Sequence, residues 1–151
     1  MKGTKCGLTL RLTEKGLSVY KIEQTPHGFT LTFGGPMYRE ELSQWLKESE
    51  RALAGRKGSF GVVVDMRNVL PLGPEARAII LQGQRLYRKA GLDRSAVILN
   101  SSATTAQFRQ LAKDSLVYRN ERYINAAKDA DWLKHALDWV KSQIDPNHGK
   151  R

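Results

Sequence analysis

The chain has 151 residues, a formal net charge of +10, and 40% hydrophobic and 26% charged residues. That length suits a single domain able to bury most of its apolar surface, and the lone cysteine, Cys6, has no disulfide partner within the sequence and fits a reducing compartment. No apolar run approaches the ~18 residues of a membrane span, and the N-terminal residues lack a secretory apolar core, so a cytoplasmic protein is expected.

In chain order, residues 1–16 read as an N-terminal extension. Residues 17–24 (LSVYKIEQ) mix Leu17, Val19, Tyr20 and Ile22 with polar residues, and 28–33 (GFTLTF) place Phe29, Leu31 and Phe33 on one face at period two, which predicts two strands. Thr25-Pro26-His27-Gly28 joins them as an antiparallel hairpin. Gly34-Gly35-Pro36 stops the second strand. Leu42, Trp45, Leu46, Ser49 and Leu53 then recur at helical spacing over 38–54, with Gly55 closing the helix. Phe60 to Val64 is a continuous Val-rich run of the kind covered on both faces, which predicts a central, parallel strand ending at Asp65.

The helix over 74–90 has Pro74 in its first turn, an apolar face of Ala76, Ile79, Ile80, Gly83, Leu86 and Ala90, and Gly91 past its end. Ser95 to Leu99 predicts another buried strand. Ser101 and Ser102 are capping residues for a third helix with Phe108, Leu111, Ala112, Ser115 and Leu116 inward. Val117 to Ile124 reads as the last strand. Asn125 then caps a helix carrying Ala130, Leu133, Leu137 and Val140, with Trp132 and Trp139 on an adjoining stripe. Residues 17–142 make the domain and 143–151 a mobile tail. The order β-β-α-β-α-β-α-β-α predicts an α/β fold, a mixed sheet with helices packed on it.

Few motifs carry chemistry. The three histidines, His27, His135 and His148, have no spacing that brings two to one metal, so no metal or cofactor is expected. No Gly-x-Ser-x-Gly turn is present, and Gly34-Gly35 leads into a proline rather than a phosphate loop. The basic excess is spread over 1–33, 71–94 and 100–128 without a Lys/Arg tract, which leaves nucleic-acid binding as an alternative with no direction to it.

Asp65, a strand-end acid facing a helix N-terminus, stands where some α/β domains carry a phosphoacceptor. Such a site needs further acids for Mg²⁺ and a late Lys, but the sequence offers only Glu23 and puts Lys128 inside the last predicted helix. Asp65 is therefore read as structural, accepting hydrogen bonds from loop N–H groups. On the second helix Arg77, Leu81, Arg85 and Arg88 follow one another as a basic stripe, suited to an acidic partner or to solvent.

The segments GFTLTFGG, GVVVDMRNV and NAAKDADWLKHAL together resemble a STAS domain (sulfate transporter and anti-sigma factor antagonist), in particular its SpoIIAA-like branch of short stand-alone cytoplasmic proteins. The resemblance covers residues 17–140 and implies a mixed sheet with packed helices and a regulatory, non-enzymatic role. Anti-sigma factor antagonists carry Asp-Ser-Ser-Gly after this strand, and a partner kinase phosphorylates the second Ser, which breaks docking. Without gaps, those four places are Gly73, Pro74, Glu75 and Ala76, so Glu75 stands where the phosphoserine is expected and the hydroxyl is missing. Glu75 is either a constitutive mimic of the phosphorylated state or a helix N-terminal acid that complements the dipole.

The leading expectation is a protein-interaction module that uses the 66–73 loop and the second helix, with Leu70, Leu72, Glu75, Arg77, Leu81 and Arg88 as its contact residues. Leu70 and Leu72, flanking Pro71, either tuck beneath the loop or meet a partner. The alternative of a different class is a small apolar-ligand or lipid carrier of the CRAL/TRIO type, which requires an apolar cavity of ligand size. Ser101, Ser102, Thr104 and Thr105 cluster at a helix N-terminus, where capping accounts for them.

Overall fold

The computed structural model describes residues 6–14, 16–115 and 120–146. Among them six strands form one sheet whose spatial order follows chain order. β1 (Cys6–Thr13), β2 (Gly16–Thr25) and β3 (Gly28–Gly35) are antiparallel neighbours, whereas β4 (Phe60–Val69), β5 (Leu92–Leu99) and β6 (Glu121–Asn125) continue parallel from β3. The connections account for the change. A short turn, Pro26-His27, suffices between β2 and β3, while α1 (Arg39–Leu53), α2 (Pro74–Ala90) and α3 (Ser102–Ser115) supply the crossovers that parallel strands need. α4 (Trp132–Ser142) follows β6.

Successive residues of a strand point to opposite faces, so the Val-rich β4 feeds two cores. On one face Phe29, Leu31, Phe33, Val62 and Val97 meet Leu42, Trp45, Ile80, Tyr87 and Phe108 from α1, α2 and α3. On the other, α4 places Ala136, Trp139 and Val140 over Val63, Ala96, Ile98 and Ile124. The first core is aromatic: Trp45 stacks on Tyr87 at 6.1 Å and meets Phe33 edge-on at 5.3 Å. Gly83 makes that stack fit, because a Cβ there would overlap the Trp45 ring. The buried Tyr87 hydroxyl shares a 2.8 Å hydrogen bond with Ser49.

The mixed α/β sheet with packed helices is as the sequence predicts, and α2 occupies the predicted span. Other details differ. Cys6–Thr13, read as part of an extension, is the edge strand β1; it pairs with β2 along its whole length while leaving Leu10 54% and Leu12 81% exposed. Arg11 fastens it to α1 through a hydrogen-bonded ion pair with the buried Glu41. β3 runs through Gly35 instead of stopping before Gly34. Gly35 takes a φ of 74°, and a Cβ there would overlap the Leu17 carbonyl oxygen, so this crossing requires glycine.

β4 does not end at Asp65 but continues to Val69, across a bulge opposite Thr32 and Gly34 that follows the continuous apolar run. α4 starts at Trp132, and Asn125 serves a turn instead of a helix cap, its side chain accepting the Ala127 N–H at 3.0 Å. The helix is also rotated from the expected face. Trp139 donates its indole N–H to the Ser95 carbonyl at 3.0 Å and turns inward, while Leu133 is 50% exposed. Of the predicted last strand, 117–119 lie outside the described residues, as do Leu116, the side chains of Leu111 and Ser115, and 147–151 of the tail. No described helix is long and apolar enough to cross a membrane.

Candidate functional site

Adjacent parallel strands deliver their following loops side by side at the carboxyl edge of the sheet, the usual place for a site in an open α/β fold. Here the chain after β3 (36–39) and the chain after β4 (70–76) face each other across an open groove of about 500 Å³. The α1 and α2 N-termini border it. Pro36, Pro71 and Pro74 supply rigid, donor-free backbone, and Arg39 and Glu75 approach to 3.8 Å across the rim.

Both banks are braced from behind. The Leu70 N–H donates to the Gly35 carbonyl at 3.1 Å, joining the two loops. The Gln107 side chain on α3 holds Leu72 reciprocally: its Oε1 accepts the Leu72 N–H and its Nε2 donates to the Leu72 carbonyl, each at 3.2 Å. Arg77 adds a hydrogen bond to that carbonyl at 3.1 Å. On the other bank Glu41 accepts the Tyr38 N–H at 3.0 Å and is itself held by Arg11. At the α2 N-terminus Gly73 offers no side chain, and the exposed Glu75 is the acid of the first turn.

The structure brings only part of the expected contact set to this groove. Leu70, 43% exposed, and Glu75 line it. Leu72 also borders it, but at 5% exposure its side chain belongs to the core, so one leucine tucks beneath the loop and the other faces outward. Arg77 braces Leu72, and Leu81 packs against the core. The exposed stripe is therefore displaced around α2 to Gln82, Arg85 and Arg88. Arg88, in the last turn, lies outside the groove, about 20 Å from Glu75 at the ~1.5 Å rise of a helical residue. The opposite bank, Met37, Tyr38 and Arg39, is missing from the sequence-based set. A signal for it exists: a central parallel β4 beside β3 forces their loops together.

Asp65 sits at the bulge, where its carboxylate accepts the Arg67 backbone N–H at 3.1 Å and the Arg67 guanidinium at 3.0 and 2.9 Å. Arg67 in turn lies over the Trp132 ring, 4.2 Å from its centroid. Asp65 so anchors a bulge and the start of α4. Ser101 accepts the Thr104 N–H at 3.1 Å, which is a helix cap. His135 of α4 meets Asp129 at 2.7 Å. No cluster of three His, Cys, Asp or Glu able to hold a metal occurs among the described residues.

A separate apolar cavity of about 60 Å³ lies between the sheet and the three-helix layer, several-fold below the roughly 300 Å³ at which ligand pockets begin. Trp45, Gln84 and Glu121 are among the residues that line it, and Trp45 Nε1 and Gln84 Oε1 are buried without a hydrogen-bond partner among the described residues. Glu121 is buried, its Oε2 accepting from Ser95 at 2.8 Å and its Oε1 2.5 Å from the Tyr123 hydroxyl. Burial holds its carboxyl above the ordinary range, against the hydrogen bonds from Tyr123 and Ser95. Tyr123 also donates to the Phe108 carbonyl at 3.1 Å. A tyrosine hydroxyl has one hydrogen, so both contacts are full hydrogen bonds only when Glu121 carries a proton and donates it to Tyr123. Sequence reasoning missed this acid, because a single Glu opening a strand carries no mark of burial.

No protein-family model matches this sequence, and no curated protein matches it. Among solved structures, the chain is similar to an uncharacterized protein of the DUF3478 family with a SpoIIAA-like fold from Shewanella loihica PV-4. The two share 16% identity over 93% of this chain and 97% of that one, with a TM-score of 0.56. At that identity the likeness is one of fold: the chain has a SpoIIAA-like fold.

Proposed function

We propose that this protein is a non-enzymatic, STAS-like regulatory module that docks a protein partner in the groove between 36–39 and 70–76. The observation that carries the reading is the construction of the groove. An exposed leucine, Leu70, on a proline-stiffened loop and an exposed ion pair, Arg39 with Glu75, in the first turns of α1 and α2 stand on segments that Gln107, Arg77, Gly35 and Glu41 hold from behind. Such preorganisation spares a binding site the ordering cost of its loops. Its position after β4, at the head of α2, is where the resemblance to anti-sigma factor antagonists puts the phosphorylated docking segment. Glu75 gives that position a permanent charge in place of a switchable hydroxyl. The arrangement favours a partner that offers an apolar side chain to Leu70 and separate polar groups to Arg39 and Glu75.

The test is affinity capture from the native cell with the unaltered protein and with Leu70→Asp combined with Glu75→Arg. Both residues are exposed, so the variant keeps the fold, and the specific partner is expected to be lost. A partner retained at equal yield overturns the groove reading. Phospholipid or RNA as the sole captured species overturns the interaction-module class. The 60 Å³ cavity lends a carrier role no support, being far too small for a lipid chain.

A further inference from the structure

The sheet is covered unevenly. α4 makes its contacts with β4, β5 and β6, and no described helix covers the same face of β1 and β2. The β1–β2 register pairs Leu10 with Val19 and Leu12 with Leu17, so these side chains share the open face. Leu10, Leu12 and Leu17 are 54%, 81% and 48% exposed. β1 is also the end strand, with β2 as its neighbour among the described residues, so one row of its backbone N–H and C=O groups has no partner in the sheet.

Edge strands of stable monomers carry devices against pairing: a proline, an inward charge, a bulge or a cover. The β1 sequence CGLTLRLT has no proline, and its register with β2 runs unbroken. Its one charge, Arg11, is neutralised within the chain by Glu41 and, at 3.6 Å, Glu40. Among the described residues the edge is thus open, apolar on one face and balanced in charge.

We propose that β1 pairs antiparallel with β1 of a second copy of this chain, making a two-fold dimer with one continuous sheet. The strand suits itself as partner, because leucines alternate with Thr or Arg symmetrically to either side of Leu10. A two-fold axis normal to the sheet keeps each copy's leucine face on the same side and pairs positions of equal parity. An axis at Arg11 would oppose two arginines. An axis at Leu10 sets Arg11 opposite Thr9 of the partner subunit and merges the two leucine faces into one strip. Strand direction reverses across the axis, so the two grooves open at opposite ends of the dimer. The dimer forms whatever the groove binds.

The test uses disulfide capture in a Cys6→Ser background, with the mass of the unaltered full chain measured by sedimentation at rising concentration. In the dimer, position 10 lies on the axis, within the Cα separation a disulfide spans. Position 17 is a comparably exposed site one strand further in, and its two copies stand at least ~14 Å apart across three strand spacings of ~4.8 Å. Leu10→Cys is expected to cross-link rapidly and nearly completely and Leu17→Cys at least tenfold more slowly, while the unaltered chain sediments as a dimer. Leu12→Lys, at a position 81% exposed and so dispensable for the fold, is expected to sediment as a folded monomer. A monomer at all concentrations for the unaltered chain, or equal cross-linking at 10 and 17, overturns the proposal.

Discussion

Replacing Glu121 by Gln isolates the effect of one buried proton. A neutral Glu121 donates to Tyr123 from Oε1 and accepts from Ser95 at Oε2; the Gln amide keeps this pattern, its Nε2 donating and its Oε1 accepting. Among the described residues no Lys, Arg or His lines the adjoining cavity, and Arg109 lies over the Tyr123 ring, 5.4 Å from its centroid, rather than on the carboxyl. Burial raises the folded carboxyl above its unfolded value. The folded state therefore keeps a proton that the unfolded chain releases above its ordinary value near pH ~4.3. The stability this proton contributes is full below that pH and is lost as pH rises through the folded value. In that window the loss runs at about 1.4 kcal/mol per pH unit. Gln has no such proton.

Urea unfolding of both proteins from about pH 4.5 to about pH 8 reads the difference directly, since every other titrating group is common to both and cancels. The variant is expected to gain on the unaltered protein by about 1.4 kcal/mol for each pH unit within the window. A difference that stays flat across the range refutes the buried proton, and one that slopes the other way means that the fold stabilises the carboxylate.

Four other substitutions probe packing and bracing. Gly83→Ala is expected to cost about 1–3 kcal/mol by overpacking against Trp45, despite the better helix propensity of alanine, and a thermal melt measures it; unchanged or increased stability contradicts the packing at this site. Leu72→Ala is expected to cost about 2–5 kcal/mol and Leu70→Ala within about 0.5 kcal/mol, a contrast that denaturant titration resolves. Gln107→Ala removes the reciprocal amide contacts of Leu72 and is expected to raise hydrogen exchange at that N–H at least tenfold while amides in β5 stay protected; unaltered exchange at Leu72 means that the loop is held by other contacts.

Much of the architecture is legible from period and punctuation. Val62, Val63 and Val64 announce a strand covered on both faces, and Pro74 with Gly91 brackets α2 to the residue. The misreadings share a cause: contacts between residues distant in sequence decide the outcome. β1 is built by pairing with β2 rather than by burial, so its exposed leucines resemble an unstructured segment unless the strict alternation is weighed. α4 is oriented by the Trp139 indole on the Ser95 carbonyl, which overrides an otherwise consistent leucine stripe. Leu72 and Leu70 look alike in sequence, and Gln107 and the core separate them. The groove needs both banks, and its 36–39 side becomes visible once β3 and β4 are known to be parallel neighbours.

Everything proposed for the groove turns on Leu70 facing a protein partner. A photocrosslinking amino acid at position 70, and separately at the exposed position 88 at the far end of α2, in the full chain expressed in its native cell, reads that contact without isolating the complex. A discrete protein adduct from position 70, absent from position 88, is the expected result. No adduct at 70, or the same adducts at both positions, contradicts docking in the groove.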